Sequence, residues 1–263
     1  MKRIIKELLP PFIIKMVRKI VFTKTEKFDN YEDVVKYSRG DYNNKELTEV
    51  VSIKTKNYIK NLYKKEVQLG QEEQKLLNIF CLNDKKSLNV LDVGGGSGIH
   101  FHIVKSQLGV QLNWIVLETP EMVKSNLNNT HQELNFVDDV SKIRNLNFDL
   151  IFLSGVIQYV PYPYNFLKQI LSLNSKKIII TRTPFKNSGK EFFTIQKSLL
   201  SENGPGELPK KYKDKFVKYP RYSFTLNDFK EFLDSQKIKY IPVYDGKGII
   251  GRDEVFSMTF YLK

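Results

Sequence analysis

The rhythm of apolar positions along the chain changes near residue 88. Between residues 46 and 68, Leu47, Val50, Val51, Tyr58, Ile59, Leu62, Tyr63 and Val67 recur at three- to four-residue steps, which places them on one face of a helix. A second helix is predicted over 71–82, with Leu76, Leu77, Ile79 and Phe80 turned inward. From Leu88 onward, short apolar runs alternate with helical stretches, the pattern of βαβ units around a parallel sheet. The predicted strands are 88–93, 112–117, 134–137, 148–153 and 177–181, then 239–244 and 255–262. Before the last two comes a helix that Thr225 can cap and that carries Leu226, Phe229, Phe232 and Leu233 inward.

Two stretches break this rhythm. Residues 1–45 read as an irregular, basic and aromatic lead-in. Its first twenty residues mix Ile4, Ile5, Leu8, Leu9, Phe12, Ile13 and Ile14 with Lys2, Arg3, Lys6, Lys15, Arg18 and Lys19, and Pro10-Pro11 interrupts any helix there. Such an element can rest weakly on an anionic membrane face or pack on the domain. No run reaches the roughly 18 apolar residues of a membrane span, and no small-residue cleavage site follows the lead-in. Residues 186–222 carry Tyr212, Phe216, Tyr219 and Tyr222 among Lys190, Lys210, Lys211, Lys213, Lys215 and Lys218, punctuated by Gly204-Pro205-Gly206, Pro209 and Pro220. A loop of that length is uncommon in a compact domain unless it acts, and it reads as a mobile substrate lid.

At 263 residues, the chain suits one domain with an appended segment: a lead-in and helical extension over 1–85, and a sheet domain over 86–263. The single cysteine, Cys81, cannot form an internal disulfide and suits a reducing, cytoplasmic setting, with the inner membrane face as a further place for the basic N-terminus. A net charge of +13 favours polyanions. Yet the lysines are spread along the whole chain, so nucleic acid is the weaker expectation.

The densest chemical signal is Leu91-Asp92-Val93-Gly94-Gly95-Gly96-Ser97-Gly98, which leaves a strand and enters a helix. Glycines there let backbone approach a ligand and offer amide donors at a helix N-terminus. The dinucleotide fingerprint needs a small residue where Ile99 stands, and no Gly-Lys-Ser/Thr ending marks a phosphate loop. NAD and ATP therefore fall behind. Glu118 ends the second strand, twenty residues beyond Gly98, where its two oxygens can accept from two adjacent hydroxyls.

An acid followed by alternating glycines resembles the first motif of class I S-adenosylmethionine-dependent methyltransferases. The resemblance implies a Rossmann-like α/β fold, a seven-stranded, mostly parallel sheet with its last strand antiparallel and helices on both faces, and an N-terminal helical extension. It implies S-adenosyl-L-methionine as cofactor, held by Asp92, Gly94, Gly95, Gly96 and Gly98, by Glu118 and Thr119, by Asp138 or Asp139 at the adenine, and by Ser154 and Gly155. Leu91 to Gly98, Trp114 to Pro120, Ile151 to Val160 and Ile178 to Phe185, with Asn30-Tyr31-Glu32-Asp33, Gly40-Asp41-Tyr42 and Leu8-Leu9-Pro10-Pro11, further resemble a methyltransferase family encoded in bacterial surface-polysaccharide gene clusters. That resemblance implies a small-molecule or glycan acceptor methylated on a hydroxyl or amine.

Methyl transfer from a sulfonium mainly requires alignment, with no metal, and a hydroxyl acceptor gains from a general base. The catalytic candidates are Tyr159 and Arg182, each beyond the carboxyl end of a central strand, and His100 after the glycine loop. Arg182 suits an anionic acceptor such as a uronic acid or nucleotide-linked sugar, or else an ion pair that fixes its loop. An RNA methyltransferase and a non-catalytic protein built on the same fold are the alternatives.

Overall fold

The computed structural model describes residues 26–38, 43–81, 87–250 and 253–263. The amphipathic element at 1–20 and Gly40-Asp41-Tyr42 lie outside them. Helices α1 (Tyr31–Ser38), α2 (Lys45–Tyr63) and α3 (Gln71–Cys81) lead into β1 (Ser87–Val93). Asn44 caps α2 by accepting from the Leu47 amide at 3.1 Å. The helix ends earlier than the periodicity predicts because Lys65 takes a left-handed φ of 61° and turns the chain away.

The domain then runs α4 (Ile99–Leu108), β2 (Gln111–Leu117), α5 (Pro120–Asn126), β3 (Leu134–Val137), β4 (Asn147–Phe148), β5 (Leu150–Ser154), α6 (Pro163–Leu171), β6 (Asn174–Ser175) and β7 (Ile178–Lys186). It closes with β8 (Phe192–Leu199), β9 (Phe216–Thr225), α7 (Leu226–Ser235), β10 (Tyr240–Ile250) and β11 (Asp253–Leu262). The main sheet is ordered β10-β11-β7-β5-β1-β2-β3. Strands β3, β2, β1, β5 and β7 are parallel, and β11 lies antiparallel between β7 and β10. This is the Rossmann-like methyltransferase fold, its seven-strand path holding the last strand of the chain reversed, with β8 and β9 joined to it off that path.

Strand parity divides the core. Leu91 and Val93 face Leu167 and Ile170 of α6 and Phe229 and Leu233 of α7. Leu88 and Val90 face Leu76 and Phe80 of α3 and Phe101 and Val104 of α4, where Phe80 stacks on Trp114 at 5.4 Å. Each such side chain contributes about 1.5–3 kcal/mol on burial, which makes the sheet a rigid platform for the loops at its carboxyl edge. Among the described residues, no helix is long and apolar enough to cross a membrane.

The stretch 186–222 departs from the expected loop. Strands β8 and β9 pair antiparallel from Phe192↔Ser223 to Leu199↔Phe216, and β9 joins the main sheet through Phe185↔Phe224 and Lys186↔Thr225 of β7. Pro220 pairs with Ile195 inside this hairpin, a place that a proline argues against from sequence alone. The hairpin is also held at its far end. Lys54 of α2 is fully buried, and its Nζ donates to the carbonyls of Ser201, Asn203 and Gly204 at 2.7, 2.6 and 3.0 Å.

Candidate active site

The turn from β1 to α4 brings five glycine-loop residues to the carboxyl edge of the sheet. A Cβ at Gly95 would overlap the Asp92 carboxylate beneath it, so only glycine fits. Gly96 is different. Its φ is +59°, and nothing lies within 4 Å of where a Cβ would be, so the loop presents bare backbone to open space. Gly94 and Gly98 flank this point, against Val156 and Leu134 respectively.

Glu118, at the tip of β2, ties the loop to the neighbouring strand. Its Oε1 accepts from the Gly96 amide at 3.0 Å and its Oε2 from the Thr119 amide at 2.8 Å. One bond to each oxygen leaves acceptor capacity on both, which suits a pair of ligand hydroxyls. Burial pushes the Glu118 carboxyl above its ordinary range, against the pull of the two amides. Thr119 itself starts α5, with Pro120 in the first turn.

Asp92 is placed otherwise than a direct ligand contact requires. It is 0 % exposed, and its oxygens accept from His100 Nδ1 at 3.0 and 3.1 Å and from Trp114 Nε1 at 3.3 Å. It therefore supports the loop and orients His100 from beneath. With the Asp92 carboxylate facing Nδ1, Nε2 is the ring nitrogen turned away from it. His102 lies apart, facing Tyr63 Oη at 3.2 Å, and burial drives its pKa down to about 4.

The two aspartates after β3 differ in role. Asp139 accepts from the Ser141 amide at 2.7 Å and caps the short turn at Val140–Ile143. Asp138 pairs with Lys142. Those hydrogen bonds hold both carboxyls below the usual range, so both are ionised at neutral pH. Ser154 ends β5 opposite Thr181, and the Gly155 amide donates to the Thr181 carbonyl at 2.9 Å.

Arg182 has a left-handed φ of 55° inside β7, where the pairing with β11 shifts register. Such a bulge re-aims a side chain, and here it leaves an exposed Arg182 with its Cβ beside Gly155. Tyr159 turns toward the hairpin: its hydroxyl donates to Gln196 Oε1 at 3.0 Å and its ring meets Tyr219 edge-on at 5.6 Å. Gln196, Tyr219, Thr194, Gln158 and Arg221 thus join the region; the sequence points to Gln158 beside Tyr159 and to Tyr219 among the lid aromatics, but to none of Gln196, Thr194 and Arg221. The available signal was the alternation of Val217, Tyr219 and Arg221, obscured by Pro220 between the last two.

Residues 63–224, more than half of the chain, match the family described as Methyltransferase domain. No curated protein matches the sequence. Among solved structures, the chain is similar to an S-adenosylmethionine-dependent methyltransferase from Clostridium acetobutylicum, at 14% identity over 79% of this chain and 98% of that one, with a TM-score of 0.47. It is similar also to CalS10, an amino pentose methyltransferase from Micromonospora echinaspora, at 11% identity over 76% and 95%, with a TM-score of 0.46. A third is the glycopeptide N-methyltransferase MtfA, at 12% identity over 73% and 86%, with a TM-score of 0.46. The family match runs from the end of α2 to Phe224 of β9, taking in glycine loop, Glu118 and hairpin together: the chain belongs to the Methyltransferase domain family.

Proposed function

We propose that this chain is an S-adenosylmethionine-dependent enzyme that methylates a hydroxyl or amine of a sugar or other small polar acceptor, in the cytoplasm, during bacterial surface-polysaccharide assembly. The observation that carries the cofactor reading is the Glu118 carboxylate bonded to the Gly96 amide, beside a stretch of loop whose Cβ position is open. S-adenosylmethionine, when bound, supplies an electrophilic methyl group that leaves behind a neutral thioether. The chain's own task is then to hold and orient. Glu118 accepts from the ribose hydroxyls, and the loop backbone approaches the methionine portion. Asp138, the carboxylate that does not cap a turn, serves the adenine edge, with Thr119, Ser154 and Gly155 lining the same mouth. His100, oriented by Asp92, can take the proton of a hydroxyl acceptor at Nε2. Tyr159 orients the acceptor, and Arg182 lies at the rim. The hairpin is the cover of the acceptor space, and residues 1–20 make at most a weak peripheral membrane contact.

The gene-cluster resemblance and the sheet-edge placement of Tyr159 and Arg182 support a glycan acceptor. The charge of +13 favours RNA as a second reading, which salt-dependent RNA retention would support. Calorimetry with S-adenosylmethionine and S-adenosylhomocysteine tests the cofactor reading, and absence of binding would leave a non-catalytic scaffold. A mass-spectrometric screen of glycans, nucleotide sugars and RNA for the gain of one methyl group tests the acceptor.

A further inference from the structure

The face of the hairpin that looks toward Tyr159 carries an unusual row. In an antiparallel pair, directly opposed residues share a face, and alternate residues repeat it. Gln196↔Tyr219 and Thr194↔Arg221 are two such consecutive pairs. The Tyr219 ring and the Gln196 amide both meet Tyr159, so this face is turned to the loop that follows β5. Arg221 is the next residue along it, between Tyr219 and the point where β9 joins β7 at Phe224.

Arg221 is only 5 % exposed, and no carboxylate, carbonyl or hydroxyl among the described residues hydrogen-bonds or ion-pairs with its guanidinium. The phenols of Tyr159 and Tyr219 lie near it, and burial draws its pKa down. A cation taken out of water without a partner costs several kcal/mol. Two more polar atoms nearby in the fold share this condition. Thr194 Oγ1, directly across the hairpin from Arg221, and Oε1 of Gln158, the residue before Tyr159, are both buried without a hydrogen-bond partner among the described residues. Buried polar groups are otherwise almost always paired, so a cluster of unpaired ones marks a place completed by something else. An arginine fork, a hydroxyl and an amide oxygen match a small molecule that bears both an oxyanion and hydroxyl groups.

We infer that Arg221 is the specificity-determining residue of the acceptor site, binding a carboxylate or phosphate of a polyhydroxylated acceptor, with Thr194 and Gln158 receiving its hydroxyls. This rests on the methyltransferase reading above for the word acceptor, though the oxyanion site itself is independent of it. Arg221, buried and unpaired, fits the oxyanion role better than the exposed Arg182.

The test is a thermal-denaturation titration at constant ionic strength, with D-glucuronate and D-glucose 1-phosphate as anionic probes and D-glucose as the neutral control. It is run with and without S-adenosylhomocysteine. The wild-type midpoint should rise saturably with at least one anionic probe and not with glucose, and which probe acts distinguishes carboxylate from phosphate. Arg221→Gln should weaken that probe at least about tenfold. Without probe, the same variant should melt at or up to about 2–4 °C above wild type, because an unpaired buried charge is gone. Lys218→Gln, which removes a charge from the exposed opposite face of β9, should change neither result. A rise that persists in Arg221→Gln, no rise with either anion, or an Arg221→Gln protein that melts well below wild type would overturn the inference. Failure of S-adenosylhomocysteine to bind would instead strike the cofactor reading and leave the anion result standing.

Discussion

The glycine loop and the β8–β9 hairpin sit at the same edge of the sheet, but they satisfy their buried polar groups in opposite ways. Around the loop, Asp92 is matched by His100 and Trp114, and Glu118 by the Gly96 and Thr119 amides. Among the described residues, Arg221 and Thr194 Oγ1 on the hairpin face and Gln158 Oε1 in the loop facing it have no such partners. A site whose groups are held by the fold is preorganised for one fixed ligand, whereas groups left without partners leave selectivity to whichever molecule completes them. The first arrangement suits a cofactor shared by a whole family, the second an acceptor peculiar to one member.

If the two regions are separable, variants in one should leave the other's binding intact. The largest effect is expected at Gly96→Val, which fills the open approach and forces a branched side chain into a left-handed φ. Calorimetric binding of S-adenosylhomocysteine should disappear while the circular dichroism spectrum stays native, and normal binding would show that the cofactor site has been misplaced. Glu118→Gln should weaken the same ligand by about tenfold to a hundredfold, the worth of a charge-assisted hydrogen bond.

Glu118 also gives a pH signature. Its folded pKa is raised above 4.5 by burial, so the stability associated with its protonated form is present below 4.5 and is lost as pH rises through the raised value. The melting temperature of Glu118→Gln relative to wild type should therefore climb across that window. Cofactor affinity of the wild type should fall as pH drops through it, while that of the variant stays flat. Parallel pH curves for the two proteins would sink this assignment.

Lys54→Met sharpens the comparison from the other side. It strips three carbonyls at the hairpin tip, the buried one of Asn203 among them, of their donor, which should lower stability by about 1–3 kcal/mol. Acceptor kcat/KM should fall with it, and S-adenosylhomocysteine affinity should not. A loss of cofactor affinity of similar size would mean that hairpin and loop act as one unit. The smallest change is expected at Tyr159→Phe, which removes one hydroxyl bonded to Gln196. Cofactor affinity should stay within about twofold and stability within about 1 kcal/mol, with the change confined to turnover.

Much of the cofactor half was readable because its signals are local. An apolar run, a turn rich in glycine and a carboxylate at the end of the next run are neighbours in sequence, and strand parity sends Leu91 and Val93 to one layer and Leu88 and Val90 to the other. The strand predicted over 148–153 splits because Asp149 turns its Oδ2 to the Asn89 amide at 3.1 Å, a contact across sixty residues that no local pattern contains.

The chain's own pattern of residues therefore determined the alternation of strands and helices that builds a parallel sheet and the loop that opens at its edge, since each follows from periodicity and from where glycine is tolerated. Tertiary structure alone decided that Asp92 lies under the loop, that 186–222 folds into a hairpin despite Pro220, and that Lys54 pins that hairpin's far end. It also decided that Arg221 is buried with no carboxylate paired to it among the described residues. Whether a charge is paired depends on what lies across space from it, and the distance from Arg221 to Tyr159 is short in the fold and long in the chain.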